Sequence, residues 1–320
     1  MKRIAVLTSG GDCSGMNAVI RAVFRVGQAM GIEVLGIRKG YKGLLNRDFE
    51  ILTSRFISNT LQRGGTFLQS ARCTEMLEEA GQKRAADILQ GLGIEGLVVV
   101  GGDGSLHGAR SLHRHGINVI GIPASIDNDI PFTDISLGVD TALNNVVYAV
   151  DCLKDTASSH DRTFVVEVMG RNCGYLTLAA AITCGAEHAL IPEAGYDMEA
   201  ICKNLHKRYL EGRSNSIIMV AEGVASAQEI ADRIKDCGGF ETRLMVLGHY
   251  QRGGSPSHFD RLLGSRFGLA AVEFLYAGRG GAMIGLDRAS LRLTPLDEVL
   301  DSGSHPIDPD MLKLAGVLVS

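Results

Sequence analysis

The feature that most constrains this chain is an alternation. Short apolar runs are followed repeatedly by segments whose apolar residues recur every three or four positions. Ile4–Leu7 reads as a strand, and Met16, Val19, Ile20, Val23 and Met30 mark one stripe of the helix after it. The same reading predicts strands at Leu97–Val100, Val119–Ile122, Phe164–Met169, Ile217–Ala221 and Leu244–Leu247. It predicts helices over about Glu75–Leu92, Ser105–Arg110, Val139–Leu153, Met198–Leu210, Gln228–Lys235 and Arg261–Tyr276. Unbroken apolar runs such as Leu97–Val100 suit strands covered on both faces, as parallel sheets are. Strand–helix alternation of this kind gives right-handed crossovers and an α/β fold: two doubly wound domains with mostly parallel sheets. The length of 320 residues agrees with two domains at roughly 150 residues each.

Composition narrows the function. With 45% hydrophobic and 21% charged residues the chain is globular, not disordered. Its net charge of −4 offers no basic excess to neutralise a phosphate backbone, which argues against nucleic-acid binding. The seven cysteines are odd in number and form no CxxC pair, so neither a metal cluster nor a disulfide framework is expected, and a reducing, cytoplasmic setting fits. Met1-Lys2-Arg3 leads straight into a strand and no apolar run nears 18 residues, so neither a signal peptide nor a membrane span is expected. Asp301–Asp310, with Pro306 and Pro309, is the one stretch with a composition tending to disorder. Glycine accounts for 40 residues, one in eight, and Trp is absent. That balance favours backbone held close to small phosphorylated ligands over stacking platforms.

In parallel sheets ligands gather at the carboxyl ends of strands. Six such places are polar and glycine-rich: Gly10-Gly11-Asp12, Gly101 to Ser105, Ser125 to Asp129, Met169-Gly170-Arg171, Glu222-Gly223, and His249 to Gly254. The first two lie between a strand and a helix, where backbone N–H groups and the helix dipole favour an anion. Asp103, set among Gly101, Gly102, Gly104 and Ser105, is suited to Mg²⁺ against nucleotide phosphates. A Walker-type GxxxxGK[ST] is absent, and Gly102 does not begin a GxGxxG. Asp127 and Asp129 flank Asn128, and in extended chain both carboxylates would face one side, one of them able to take a proton. An Asx turn before Pro131 is the competing reading. Arg63, Arg72, Arg162, Arg171, Arg243 and Arg252 lie in or beside these loops or at strand starts, and guanidinium forks match phosphate oxygens.

Taken in order, Leu7 to Asp12, Gly101 to Ser105, Ile126 to Asp129, Val168 to Arg171 and Gln251 to Gly254 resemble the bacterial ATP-dependent 6-phosphofructokinases, from residue 1 to about 290. The resemblance implies transfer of the γ-phosphoryl of ATP to the 1-hydroxyl of fructose 6-phosphate, within glycolysis. It implies that Gly11, Tyr41, Arg72, Cys73, Gly102, Asp103, Gly104 and Ser105 bind ATP, with Asp103 placing Mg²⁺. Asp127 would be the base, supported by Asp129, with Arg72, Arg171 and Ser125 stabilising the phosphoryl group. The sugar phosphate would meet Ser125, Ile126, Asp127, Met169, Gly170, Arg171, Glu222, His249, Tyr250, Gln251 and Arg252, with Arg162 and Arg243 from a neighbouring subunit of a homotetramer. The ATP domain would span 1–138 and about 251–304, the sugar-phosphate domain 139–250 and about 305–320.

The departures are informative. Cys13-Ser14 stands for Ala-Pro, and Ala124-Ser125 for Gly-Thr. Gly104 and Ala124 stand where pyrophosphate-dependent relatives carry Asp and Lys, which favours ATP over pyrophosphate. A catalytically silent regulatory paralogue is the rival of another class, and the presence of Asp103, Asp127, Asp129, Arg72 and Arg171 argues against it. For the family's ADP and phosphoenolpyruvate site the resemblance implies Arg21, Arg25, Lys154, Gly185, Glu187 and Arg213. Ser54, Asn59 and Glu211 replace an arginine, an aspartate and a lysine, so weakened regulation is expected.

Overall fold

A computed structural model describes residues 1–157, 162–213, 215–238 and 241–318. The first stretch runs β1 (Arg3–Thr8), α1 (Met16–Ala29), β2 (Glu33–Ile37), α2 (Gly40–Leu45), β3 (Phe49–Ile51), α3 (Glu79–Gly91), β4 (Gly96–Gly101), α4 (Asp103–Arg114) and β5 (Val119–Pro123). The middle follows with α5 (Val139–Ala157), β6 (Thr163–Val168), α6 (Tyr175–Cys184), β7 (His188–Leu190), α7 (Met198–Leu210), β8 (Ser216–Ala221), α8 (Ala227–Gly238) and β9 (Thr242–Val246). The chain closes with α9 (His258–Tyr276), β10 (Ala282–Asp287), β11 (Ser290–Pro295), α10 (Leu296–Asp301) and α11 (Pro309–Leu318).

Two compact units result. The first comprises residues 1–126, 130–141 and 252–305, the second 127–129, 142–251 and 306–320, of which 158–161, 214, 239–240 and 319–320 lie outside the described residues. The first unit holds a seven-stranded sheet in the order β11-β10-β5-β4-β1-β2-β3, with β10, β5, β4, β1 and β2 parallel and β11 and β3 antiparallel at the edges. All six residues of β4 are buried, as its apolar run requires. One face packs a core that includes Leu44 of α2, Leu89 of α3 and Leu106 of α4. On α9, Gly264 and Gly268 bring the helix close against α1, where an added Cβ would press on Ala18 and Ala22.

The second unit holds a four-stranded parallel sheet in the order β7-β8-β6-β9. Ile201 and Leu205 of α7 and Ile230 and Ile234 of α8 bury one cluster with β6 and β8. Leu178 of α6, Ile307 and Ala315 of α11 bury another. The α/β class with two mostly parallel sheets is thus realised.

Three local expectations are corrected. The helix read over Glu75–Leu92 is broken: a 3₁₀ turn covers Thr74–Leu77, and Glu78 is extended before α3 begins. The 301–310 stretch is tied down, because Ile307 is buried against Ile191 and Leu178. Cys202 and Cys237 form a disulfide where none was expected. Residues 35 apart meet there because α7 and α8 cover the same sheet, which leaves their Cα atoms 6.2 Å apart.

Candidate active site

In the first unit the loops after β1, β4 and β5 converge. Ser9 N–H donates to Val100 O at 2.9 Å, and Ala124 N–H to Gly101 O at 3.0 Å. Gly101 fits because it lacks a side chain: a Cβ there would strike Ser9 O and the Ser105 side chain. Gly102 sits near Ala124 O and Ser125, and Ser105 and Leu106 return their N–H groups to Gly102 O as α4 starts. Asp103 is exposed in the first turn of α4, with His107 one turn on at 3.7 Å. Beside it Gly104 faces open space, with nothing within 4 Å of an added Cβ. The helix start, its free N–H groups and an exposed carboxylate form an anion-and-cation cradle.

Arg252 also belongs to this unit. Its guanidinium lies against Gly11, where a Cβ would come within 2.6 Å of Nη1, and it donates to Asp12 O at 3.2 Å. Arg72 and Cys73 line a cavity of about 190 Å³ with Lys42, Leu45, Asn46, Thr74 and Glu75. Tyr41, expected at the nucleotide, lies beneath the start of α4. It is buried, its hydroxyl donates to Ser105 O at 2.6 Å, and desolvation pushes its phenol far above the usual range. Tyr41 therefore supports the start of α4 from below.

In the second unit the loops after β6, β8 and β9 come together. Glu222 N–H donates to Val168 O at 2.9 Å and Gly223 N–H to Gly170 O at 3.1 Å. Buried Gln251 bridges the set: its Oε1 accepts from Met169 N–H at 3.3 Å and its Nε2 donates to Gly248 O at 3.1 Å. Arg171, Glu222, His249 and Tyr250 are exposed on this rim. Gly170 has φ of 134°, a conformation other residues avoid, and a Cβ there would strike Cys173 O. Glu193 accepts from Gly174 N–H with both oxygens, at 2.9 and 3.1 Å. Desolvation pushes the Cys173 thiol up to about 12, with the charges of Glu193, Asp129 and Asp127 adding to the shift.

The charges of both aspartates reach Cys173, but the alternation expected to pair them is corrected. Ile126 and Asp127 form a turn and buried Asn128 has φ of 54°, so the segment is not extended and simple alternation does not apply. Arg162 and Arg243 share Oε1 of Glu241, at 3.0 and 2.5 Å, so within one chain each already has an anion.

The residues assigned to an effector site fall in both units. Arg21 and Arg25 lie on α1, where Arg25 donates to Ser54 Oγ at 3.3 Å. In the second unit Lys154 donates to Cys184 O, and Gly185 caps α6 in the left-handed region. Glu187 accepts from Arg208 and from Ile217 N–H, both at 2.6 Å. Arg213 is exposed just beyond α7. Arg208, Gln251 as a bridge and Glu193 are the supporting residues that sequence reading missed.

A profile described as Phosphofructokinase matches residues 3–275. The chain belongs to the phosphofructokinase family. A protein named ATP-dependent 6-phosphofructokinase from Shouchella clausii is 50% identical over 315 residues, 98% of each chain. One of the same name from Clostridium acetobutylicum is 48% identical over 300 residues, 94% of each. Among solved structures, the phosphofructokinase of Saccharomyces cerevisiae superposes with a TM-score of 0.87 at 35% identity; it matches 94% of this chain, which spans 45% of that one. A pyrophosphate-dependent phosphofructokinase from Marinobacter aquaeolei gives a TM-score of 0.86 over 100% of this chain and 92% of its own, at 22% identity, a likeness of fold. Relatives align well past residue 290, where the motif resemblance was expected to fade.

Proposed function

We propose that this phosphofructokinase is ATP-dependent and transfers the γ-phosphoryl of ATP to the 1-hydroxyl of fructose 6-phosphate, the committed step of glycolysis. The observation that carries the reading is identity of 50% across 98% of a relative bearing that activity in its name. Phosphoryl transfer asks a protein for positioning and charge neutralisation more than for covalent chemistry. The first unit supplies the nucleotide half: Gly11, Gly102, Gly104 and Ser105 give close backbone, and Arg72 and Cys73 line the adjacent cavity.

Mg²⁺ fits one place in that half. Among the described residues no three His, Cys, Asp or Glu side chains gather into a metal cage. A single exposed carboxylate, Asp103, beside open space at Gly104 suits an ion carried in largely by the nucleotide's own oxygens. When bound, the ion would neutralise phosphate charge.

The second unit supplies the acceptor half. Asp127 takes the proton of the sugar 1-hydroxyl, a poor nucleophile without a base, and Asp129 helps orient it. Arg171, with Arg72 and Ser125, neutralises the migrating group. Met169, Gly170, Glu222, His249, Tyr250, Gln251 and Arg252 bind or position the sugar phosphate, and Ile126 supports the loop. Arg162 and Arg243 act on a neighbouring copy in a homotetramer, where phosphate competes with Glu241 for them. Among the described residues no helix is long and apolar enough to cross a membrane, which suits a cytoplasmic enzyme.

The test is a coupled assay with fructose 6-phosphate and Mg²⁺, comparing ATP, pyrophosphate and no donor. Turnover with ATP alone is expected. Equal turnover with pyrophosphate would overturn the donor, and no turnover with either would favour a silent regulatory role.

A further inference from the structure

Five of the seven cysteines fall into two kinds, with half-buried Cys73 and exposed Cys152 outside both. Cys13, Cys173 and Cys184 are buried, and desolvation raises each thiol above its ordinary value, which makes them inert at neutral pH. Cys202 and Cys237 are joined, and their position is open: Cys237 is exposed and Cys202 half-buried. The two cysteines border a cavity of about 650 Å³ whose other walls are Lys203, His206, Lys207, Leu210 and Glu211. Against two lysines and a histidine stands one carboxylate, and it is within 3.9 Å of Lys207. Such a wall draws anions. In reducing surroundings a cystine is usually transient or redox-sensing rather than a permanent staple.

We propose that Cys202–Cys237 is a reversible thiol–disulfide exchange site, and that its basic cleft selects anionic low-molecular-weight thiols and their disulfides. The incoming thiolate attacks the exposed Cys237 Sγ. The Cys202–Cys237 bond breaks and its electron pair leaves on Cys202 Sγ, a thiolate next to Lys203 and one helical turn from His206. A second thiol then attacks the mixed disulfide at the small molecule's sulfur, releasing the small disulfide and leaving Cys237 as a thiolate. The net change is one cystine plus two thiols giving two cysteines plus one small disulfide, and the reverse sequence restores the bond. What changes in the protein is the tie between α7 and α8. The exchange stands apart from phosphoryl transfer, because neither cysteine is among the residues proposed to bind nucleotide or sugar phosphate.

The experiment uses the whole protein purified without reductant. Cleavage of the bond is followed by alkylation of Cys202 and Cys237 and mass spectrometry, with reduced glutathione as the anionic thiol and cysteamine as the cationic one. Rates are normalised to thiolate concentration. At low salt glutathione is expected to react at least about threefold faster, with the preference lost in 0.5 M KCl as charges are screened. Lys203→Gln with Lys207→Gln should remove the preference, slowing glutathione more than cysteamine. With oxidised glutathione, Cys237→Ser should gain one glutathionyl group at Cys202. Three results would each overturn the proposal: equal rates for the two thiols at low salt, cleavage at a rate independent of thiol concentration, or full alkylation of both cysteines before any reductant is added.

Discussion

In the first unit the loops at the strand ends are held mainly by peptide groups: Ser9 on Val100, Ala124 on Gly101, and Ser105 on Gly102. In the second unit peptide pairs such as Glu222 on Val168 are joined by side-chain acceptors. Gln251 receives Met169 N–H, Glu193 receives Gly174 N–H, and Glu167 receives Ala227 N–H at 2.8 Å. Where backbone meets backbone, as at Gly101, no added atom fits, whereas a loop hung on amides and carboxylates tolerates bulk but not loss of an acceptor. The two halves should therefore fail in different ways.

The largest effect is expected where chemistry, not support, is removed. Asp127→Ser should lower turnover by roughly 10²–10⁴ while fructose 6-phosphate affinity holds. Measured kcat and KM decide it, since lost affinity at unchanged kcat would make Asp127 a binding residue. Gly101→Ala, which presses on Ser9 O, should cost about 1–3 kcal/mol of stability and raise KM for ATP far more than for the sugar. Gln251→Leu, which orphans Met169 N–H, should cost about 1–3 kcal/mol and do the opposite, raising the sugar KM alone. Thermal melts with both KM values test the contrast; identical KM patterns for the two variants would erase it. Gly104→Asp meets open space, so the melting temperature should hold while ATP affinity falls by charge repulsion. The smallest effect concerns regulation: with Ser54 and Glu211 in place of basic residues, submillimolar phosphoenolpyruvate should barely inhibit at subsaturating fructose 6-phosphate, and ADP should relieve little. Strong inhibition reversed by ADP would show an intact effector site.

The same contrast explains what could be read in advance. Backbone cradles announce themselves as glycine clusters after apolar runs, so Gly10-Gly11 and Gly101 to Ser105 were legible together with the strands feeding them. Side-chain scaffolds do not. Gln251 serves a loop 82 residues away and Glu167 a helix 60 residues away, and no local pattern distinguishes them from surface polar residues. Asp260 is a comparable buried acceptor in the first unit, taking N–H groups from Gly138 and Thr141, and it too had no local signal. Three-residue strands such as β3 and β7 are too short to show a period. The disulfide was hidden because pairing across 35 residues depends on two helices lying side by side. At Glu78 and Asn128 local backbone geometry overrode patterns that were otherwise sound.

The first unit is assembled from three separate stretches of chain, the last of them residues 252–305. Synthesis delivers β1 to β5 early, yet β10, β11 and α9 leave the ribosome only near the end. The central sheet thus waits, through the translation of the whole middle of the chain, for an edge and a covering helix. A nascent chain stalled before residue 258 exposes the surface of α1 around Ala18 and Ala22 that Gly264 and Gly268 would have covered. Chaperones and proteases meet that bare face first, so the order of translation makes the oldest part of the enzyme the last to be safe.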